Sequence, residues 1–202
     1  MSNVRCNMSN EMVKEKPKIK ITEPIAEEDF VEAEKIIEEN IVKSDENLNE
    51  LKSLSVGEVL VAKINDEVVG IISMYRSGKV FKTTQAKYIS LDKIKAEKSK
   101  IGYIMFLAVL KKHQGKGIGK SLAKAGIKKQ KEFGAECVLT DAWQSSPNGA
   151  SQKLFESLGF EAIKLHKQPW LEESKKVGPK KFTCVVCGNP CSCDELEMVK
   201  YL

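Results

Sequence analysis

Gln114-Gly115-Lys116-Gly117-Ile118-Gly119 stands between an apolar run, Ile101 to Leu110, and a stretch in which Ile118, Leu122, Ala125 and Phe133 recur at helical spacing. Glycines at alternate positions let a backbone curl tightly, because no Cβ blocks positive φ or close approach by a ligand. A strand, a glycine turn and a helix in that order bring free amides and the positive end of a helix dipole to one point, an arrangement that holds phosphate. The six residues therefore read as an anion-binding turn, with a turn of purely topological purpose as the alternative. They are not the dinucleotide fingerprint, whose glycines follow G-x-G-x-x-G. They are not a Walker A loop either, whose G-x-x-x-x-G-K-[ST] order is absent.

Outward from this turn, the chain alternates strands and helices. Lys18 to Thr22 alternates lysine with Ile19 and Ile21 and predicts a half-buried strand. Phe30, Ala33, Ile37 and Ile41 predict one helix, and Leu48, Leu51 and Leu54 a second. Val59 to Ile64 and Val68 to Tyr75 flank Asn65-Asp66 and read as a hairpin. Lys79 to Asp92 reads as a strand with a loop, followed by an exposed lysine-rich stretch to Lys100. Tyr103 to Leu110 is apolar on both alternating faces, as a central strand covered on both sides would be. A helix from Ile118 and a strand over Cys137 to Thr140 make a parallel pair with it. Asn148 is placed at the N-cap of a helix through Leu158, which Gly159 stops. Strands over Phe160 to Leu165 and Glu195 to Tyr201 complete the pattern. The fold class is α/β.

Leu107-Ala108-Val109, then four residues, then Gln114 through Leu122 resembles the acyl-CoA signature of the GNAT (GCN5-related) N-acetyltransferases, [QR]-x-x-G-x-[GA] after a strand. Asn148 through Phe155 with Gly159-Phe160 resembles that family's later motif. The resemblance implies a GNAT fold, a mixed central sheet with helices on both faces, over residues 18–202. It implies an N-acetyltransferase that takes acetyl-CoA as cosubstrate and passes the acetyl group directly to a primary amine, on a small molecule or a protein. Main-chain amides of Leu107, Ala108 and Val109 would hold the pantetheine arm and polarise the thioester. Gln114, Gly115, Lys116, Gly117, Ile118, Gly119 and Lys120 would hold the phosphates, and Asn148 is implied as a further cofactor contact. The family's usual tyrosine acid is replaced by Phe155, which cannot donate a proton; a leaving thiolate, with a reference pKa of about 8.5, needs little help. Asp141 is the candidate general base, against a reading as an N-cap or loop carboxylate. Tyr103 and Tyr88 are the candidate acids.

Composition agrees with one folded domain: 202 residues, 42% hydrophobic and 30% charged. Ile101 to Leu110, the longest apolar run, falls short of the roughly 20 residues a membrane span needs, so no membrane partner is expected. Residues 1–17 are polar and lack an apolar signal core, which predicts a disordered tail and a cytoplasmic protein. The formal charge of +5 comes with lysine and glutamate mixed along most of the chain and only 6% aromatics, so no nucleic-acid partner is expected. Lys116 and Lys120, nearest the turn, are read as phosphate contacts, whereas Lys124 and Lys128 are read as a solvated helix face. A homodimer is left open.

Cys184, Cys187, Cys191 and Cys193 put four of six cysteines within ten residues, 184–193, with Gly188 following Cys187. Four thiolates complete a closed tetrahedral Zn²⁺ site, and in a reducing compartment such a cluster reads as a metal site before disulfides. Structural zinc is the leading assignment, with an iron–sulfur or other metal and free thiols as the alternatives. Trp143, Pro169-Trp170 and the cluster together resemble a GNAT subgroup with a cysteine-rich C-terminal tail; the tryptophans read as core residues or as the lining of an acceptor pocket. A non-catalytic acyl-CoA sensor or interaction module, which Phe155 would suit, is the competing function.

Overall fold

Alternating apolar residues and two turn signals place the sheet, and the helices follow from the stripes between them. The computed structural model describes residues 18–202. The expected tail, 1–17, and Cys6 lie outside them. In chain order the elements are β1 (Lys20–Thr22), α1 (Glu27–Asn40), β2 (Val42–Lys43), α2 (Asn47–Ser53), β3 (Val59–Ile64), β4 (Glu67–Tyr75), β5 (Ile101–Val109), α3 (Ile118–Glu132), β6 (Cys137–Trp143), α4 (Ala150–Glu156), β7 (Glu161–His166), α5 (Leu171–Val177), β8 (Thr183–Cys184) and β9 (Glu195–Tyr201). Seven strands form one sheet in the order β1-β3-β4-β5-β6-β9-β7, while β2 and β8 pair separately. Among the described residues only β5 and β6 run parallel, joined by α3 as the sequence predicts.

The hairpin between β3 and β4 turns at Asn65 and Asp66, whose φ angles of 50° and 65° suit the residue types that tolerate the left-handed region. Helix α1 opens with Glu27, Glu28 and Asp29, and the Asp29 carboxylate accepts the Ile25 amide at 2.8 Å and pairs with Lys63. Its buried stripe, Ala33, Ile36 and Ile37, packs with Leu51 of α2 against Val59, Val61, Val68 and Ile71 on one face of the sheet. On the other face Ile118 and Leu122 of α3 meet Ile72, Met74, Ile104 and Val109. Each of these isoleucines and leucines stabilises the fold by roughly 1.5–3 kcal/mol relative to exposure.

Close approach of α3 to the sheet depends on Gly102. A Cβ there would lie 2.2 Å from Oε1 of the buried Gln130, whose Nε2 donates to the Tyr75 carbonyl at 2.9 Å. Gly102→Ala must push the amide away and orphan it, at a cost of about 2 kcal/mol. For a domain of this size, that is a fall of about 4–8 °C in melting temperature. Calorimetric melting of Gly102→Ala and of Gly102→Ala/Gln130→Ala checks it; strict additivity of the two substitutions would refute the contact.

The expected strand within Lys79 to Asp92 is not formed. The segment between β4 and β5 runs instead through short 3₁₀ turns at Lys79–Lys82, Thr84–Tyr88, Leu91–Lys93 and Lys98–Lys100. Its apolar residues, Val80, Phe81, Ile89, Leu91 and Ile94, follow no period of two, and they serve as a lid over Tyr75, Ile101, Tyr103, Leu139 and Val199. Glu58, fully buried, anchors the start of this segment by accepting the Arg76 amide at 2.9 Å and the Lys79 ammonium at 2.6 Å.

Candidate active site and cysteine cluster

The site begins where β5 leaves β6. Register pairs Ile101 to Ile104 with Cys137 to Thr140 and goes no further, although β5 continues to Val109 and β6 to Trp143. A bulge lies at the point of divergence. Against β4, Phe106 faces Ser73 and Ile104 faces Met74, so Met105 is the extra residue that bends the strand. From Met105 to Val109 the β5 edge therefore faces a cleft rather than a neighbour. Leu107, Ala108 and Val109, expected as main-chain contacts, lie along this edge and pair on their other side with Ile72, Ile71 and Gly70.

The glycine turn closes the end of that cleft. Gly115 and Gly117 have φ angles of 71° and 83°, and nothing lies within 4 Å of a Cβ built on either. Gly119 does not share this role. It sits in the first turn of α3, where a Cβ would meet Leu154 and Val109 at 3.8 Å, an ordinary van der Waals separation. None of the amides from Gly115 to Lys120 donates to an acceptor among the described residues, and the first to do so is Ser121, to the Gly117 carbonyl at 3.0 Å. Six consecutive unpaired donors at a helix N-terminus form a ready anion cradle. The Gln114 side chain is spent elsewhere: its Nε2 donates to the Val109 carbonyl at 2.9 Å and fixes the turn to the strand end. Lys116 and Lys120 are exposed beside the turn.

Asn148 does not cap a helix as expected. It lies in a 3₁₀ turn, Pro147–Gly149, at a φ of 57°, and α4 starts at Ala150 after Gly149, itself left-handed at 64°. The oxygen that serves the helix start is Ser146 Oγ, which accepts the Ser151 amide at 3.1 Å. Pro147 and Gly149 around Asn148 impose the turn and delay the helix. Phe155 is buried with its ring 5.1 Å from that of Phe160, so this position faces the core.

Asp141 is neither an N-cap nor a loop residue. Strand β6 extends three residues past the expected Thr140, and Asp141 is the first residue beyond its contact with β5, opposite Glu197 of β9. Cross-strand register brings Asp141, Glu195 and Glu197 onto one sheet face. The Tyr103 hydroxyl donates to Asp141 Oδ2 at 2.6 Å. Burial, reinforced by Glu197, pushes the Asp141 carboxyl up to about 6, against the opposing pull of the Tyr103 hydrogen bond. Burial and then Asp141 lift Glu195 to about 8. The Tyr103 phenol is driven well above 10, by burial first and the Asp141 charge second, so it keeps its proton. Tyr88 donates to the Pro169 carbonyl, and its ring lies edge-on to Trp170 and His166. Glu197 accepts the Ser90 amide at 2.9 Å and lies 3.1 Å from His166 Nε2. Neither glutamate nor His166 was singled out from sequence, since only strand pairing carries them to Asp141.

Cys184, Cys187, Cys191 and Cys193 converge, their sulfurs all within 4.8 Å of one another. Three of the separations are 3.7, 3.6 and 3.4 Å. An ion about 2.3 Å from each of four sulfurs would set them about 3.8 Å apart, so the donor set fits a tetrahedral site. A hydrogen bond from Cys191, then the amides of Cys187 and Val186, pull the Cys184 thiol down to about 4, which favours the ligating thiolate. Trp143, Trp170 and Phe182 pack against the cluster, and Trp170 Nε1 donates to Glu195 at 2.8 Å. Both tryptophans are half-buried in this packing. The cluster reaches further than the link between the last two strands: Cys191 N donates to Ser174 Oγ of α5 at 2.8 Å, and β8 pairs with β2 beside α1.

No helix among the described residues is long and apolar enough to cross a membrane. Residues 23–160 match the profile of the Acetyltransferase (GNAT) family. No curated protein matches the chain. Similar solved structures include a chain of the NatC complex bound to Gag peptide and CoA, at 17% identity over 92% of this chain and 99% of that one, with a TM-score of 0.64. The ribosomal-protein-S18-alanine N-acetyltransferase from Escherichia coli gives 14%, 91%, 94% and 0.61. A Bacillus subtilis acetyltransferase in complex with CoA gives 18%, 93%, 99% and 0.59. At these identities the likeness is one of fold.

Proposed function

The chain belongs to the acetyltransferase (GNAT) family, and from that premise we propose that it passes the acetyl group of acetyl-CoA directly to a primary amine bound in the same cleft. The observation that carries the reading is the run of six unpaired amides, Gly115 to Lys120, at the mouth of a cleft whose wall is the free edge of β5. The pyrophosphate would lie on those amides, with Lys116 and Lys120 beside it, and the pantetheine arm along Leu107 to Val109. Amides of that edge would polarise the thioester carbonyl.

Asp141, where the strands part, stands in the place for a base. The amine attacks the carbonyl carbon, its surplus proton passes to the Asp141 carboxylate, and the C–S bond breaks with its electrons going to the CoA thiolate. Tyr103 orients Asp141 and, holding its proton far more tightly than a thiol does, is a poor acid for the leaving group. The thiolate departs unassisted. The four cysteines would hold a structural Zn²⁺ that fastens α5 and Trp170 to the sheet beside Glu195, without touching the reacting atoms.

Calorimetric titration with acetyl-CoA, with thiol release measured against a panel of amines, tests the reading. Micromolar binding and amine-dependent release are expected; binding without release across the panel would make the protein a sensor. Gly117→Glu sets a carboxylate among the amides and is expected to weaken acetyl-CoA at least about a hundredfold, a loss of some 2.7 kcal/mol. Gly134→Glu is the control: its φ of 77° and open surroundings match those of Gly117, but it lies beyond the other end of α3. It carries the same left-handed strain of about 1–2 kcal/mol and should leave acetyl-CoA binding unchanged.

A further inference from the structure

Lysine and glutamate mix along most of the chain, but one segment departs from that mixture. Residues 76–131 carry a net charge of +14, and all other residues together −9. Between Lys111 and Lys131 there are eight lysines and no acidic residue. Helix α3 turns part of that excess outward as a line: Lys120, Lys124, Lys128 and Lys131 are exposed, and their spacings of four, four and three residues keep them on one face. The line spans about 16 Å at 1.5 Å per residue. Among the described residues none of the four has a carboxylate partner, whereas neighbouring Lys129 is paired with Glu23 and Glu132.

Beyond the C-terminal end of α3 the positive surface continues. The Arg76 guanidinium lies 4.6 Å from the ring centroid of Phe133, the residue that ends α3. Arg76 is also one wall of a groove of about 460 Å³ that includes Lys79, Lys82, Lys98 and Ser99. Glu58 offsets part of the charge of Arg76 and Lys79, but Lys82 and Lys98 have no carboxylate partner among the described residues. Ser77 Oγ, within the same groove, is buried without a hydrogen-bond partner there.

We propose that the ridge of α3 from Lys124 to Lys131 and this groove form a docking track for the phosphate backbone of a nucleic-acid duplex, beyond the acetyl-CoA turn to which Lys120 belongs. A duplex presents one charge per about 1.7 Å of axis, so the roughly 10 Å from Lys124 to Lys131 faces about six phosphate charges and gains by releasing their counterions. A membrane surface fits less well, because none of the exposed large apolar side chains lies between residues 76 and 131 to enter the headgroup layer. Lysine ammonium groups along a convex ridge supply no base readout, so binding is independent of sequence.

The test uses the full chain saturated with acetyl-CoA, so that the turn is already filled, and measures fluorescence anisotropy of a labelled 20-base-pair RNA duplex across 50–200 mM salt. Contact with about five phosphates predicts a log–log slope near −4.5 and a several-hundredfold fall in affinity over that range. Lys124→Glu/Lys128→Glu/Lys131→Glu should weaken binding at 50 mM at least tenfold and flatten the slope by about 3, while leaving acetyl-CoA affinity and thiol release unchanged. A DNA duplex of the same sequence should bind within severalfold of the RNA. An unchanged slope in the triple variant overturns the proposal. So does absence of duplex binding at 50 mM, whether or not vesicles of phosphatidylcholine with phosphatidylserine, or polyglutamate, are bound.

Discussion

Asp141→Asn is expected to lower kcat/KM by about 10²–10⁴, the range a positioned base contributes. The substitution conserves shape, and an amide oxygen still accepts the Tyr103 hydroxyl, now 2.6 Å from Oδ2, so the cleft keeps its form. In the unsubstituted protein, kcat/KM corrected for the fraction of free amine should rise as pH increases through about 6, where burial has placed the Asp141 carboxyl, and level off above. The variant should show no such rise. Stability moves the other way. The folded carboxyl titrates at about 6 rather than 3.8, so the folded state binds its proton more tightly than the unfolded one. Its stabilising contribution is complete below about pH 4 and is lost as pH rises through 6. The ionised form then costs up to about 3 kcal/mol at pH 8, which Asn does not incur. Melting at pH 8 should therefore be higher for Asp141→Asn than for the unsubstituted chain, although the variant is the slower catalyst. Equal turnover for the two proteins would remove Asp141 from the mechanism; lower melting at pH 8 would show that its carboxylate is a structural ligand instead.

Stripping metal from the cysteine cluster, or Cys187→Ser, is expected to destabilise the chain by more than about 4 kcal/mol, the scale on which loss of a metal site acts. Four sulfurs held within 4.8 Å of one another would gain their order from the ion they share, and without it three buried thiols and the half-buried Cys187 face one another with little else to bind them. The effect should spread along the contacts the cluster makes. Ser174 of α5 loses the Cys191 amide, Trp170 loses its seat against Phe182, and the Trp170 bond to Glu195 loosens. Measurable consequences are one zinc released per chain on thiol modification, a fall in melting temperature on chelation, and a tryptophan fluorescence change tracking both. A chain that holds no zinc and melts identically with and without chelator would establish the four cysteines as free thiols.

Much of the fold was legible because local pattern and tertiary role agree. The Asn65-Asp66 turn, the two-sided apolar run of β5 and the stripe of α3 each specify one element, and each element forms within a few residues of its expected place. Where the pattern was irregular, the reading failed. The segment from Lys79 to Asp92 has apolar residues enough for a strand but no alternation, and it folds as 3₁₀ turns over the sheet. Residues 167–184 carry little periodicity, and α5 and β8 lie within them without a sequence signal. They are ordered by Ser174, Trp170 and the cysteine cluster rather than by propensity. Asn148 looked like a cap because Asn caps helices, but Pro147 and Gly149 on either side of it made a turn instead.

By itself the sequence determined the glycine turn, the strand before it, the helix after it and the four clustered cysteines, because each is a local matter of missing Cβ atoms, apolar period or thiol spacing. Only the tertiary structure decided what surrounds Asp141. Glu197 is 56 residues away along the chain and Tyr103 is 38, and a β-sheet makes neighbours of such residues through register alone. The divergence of β5 from β6 at Met105, which opens the cleft, is likewise a property of two strands, and neither strand's sequence carries it. Electrostatic environment is decided with it: an aspartate is ordinary until burial and a facing glutamate raise its carboxyl to about 6, and both come from packing between segments that meet only when the chain has folded.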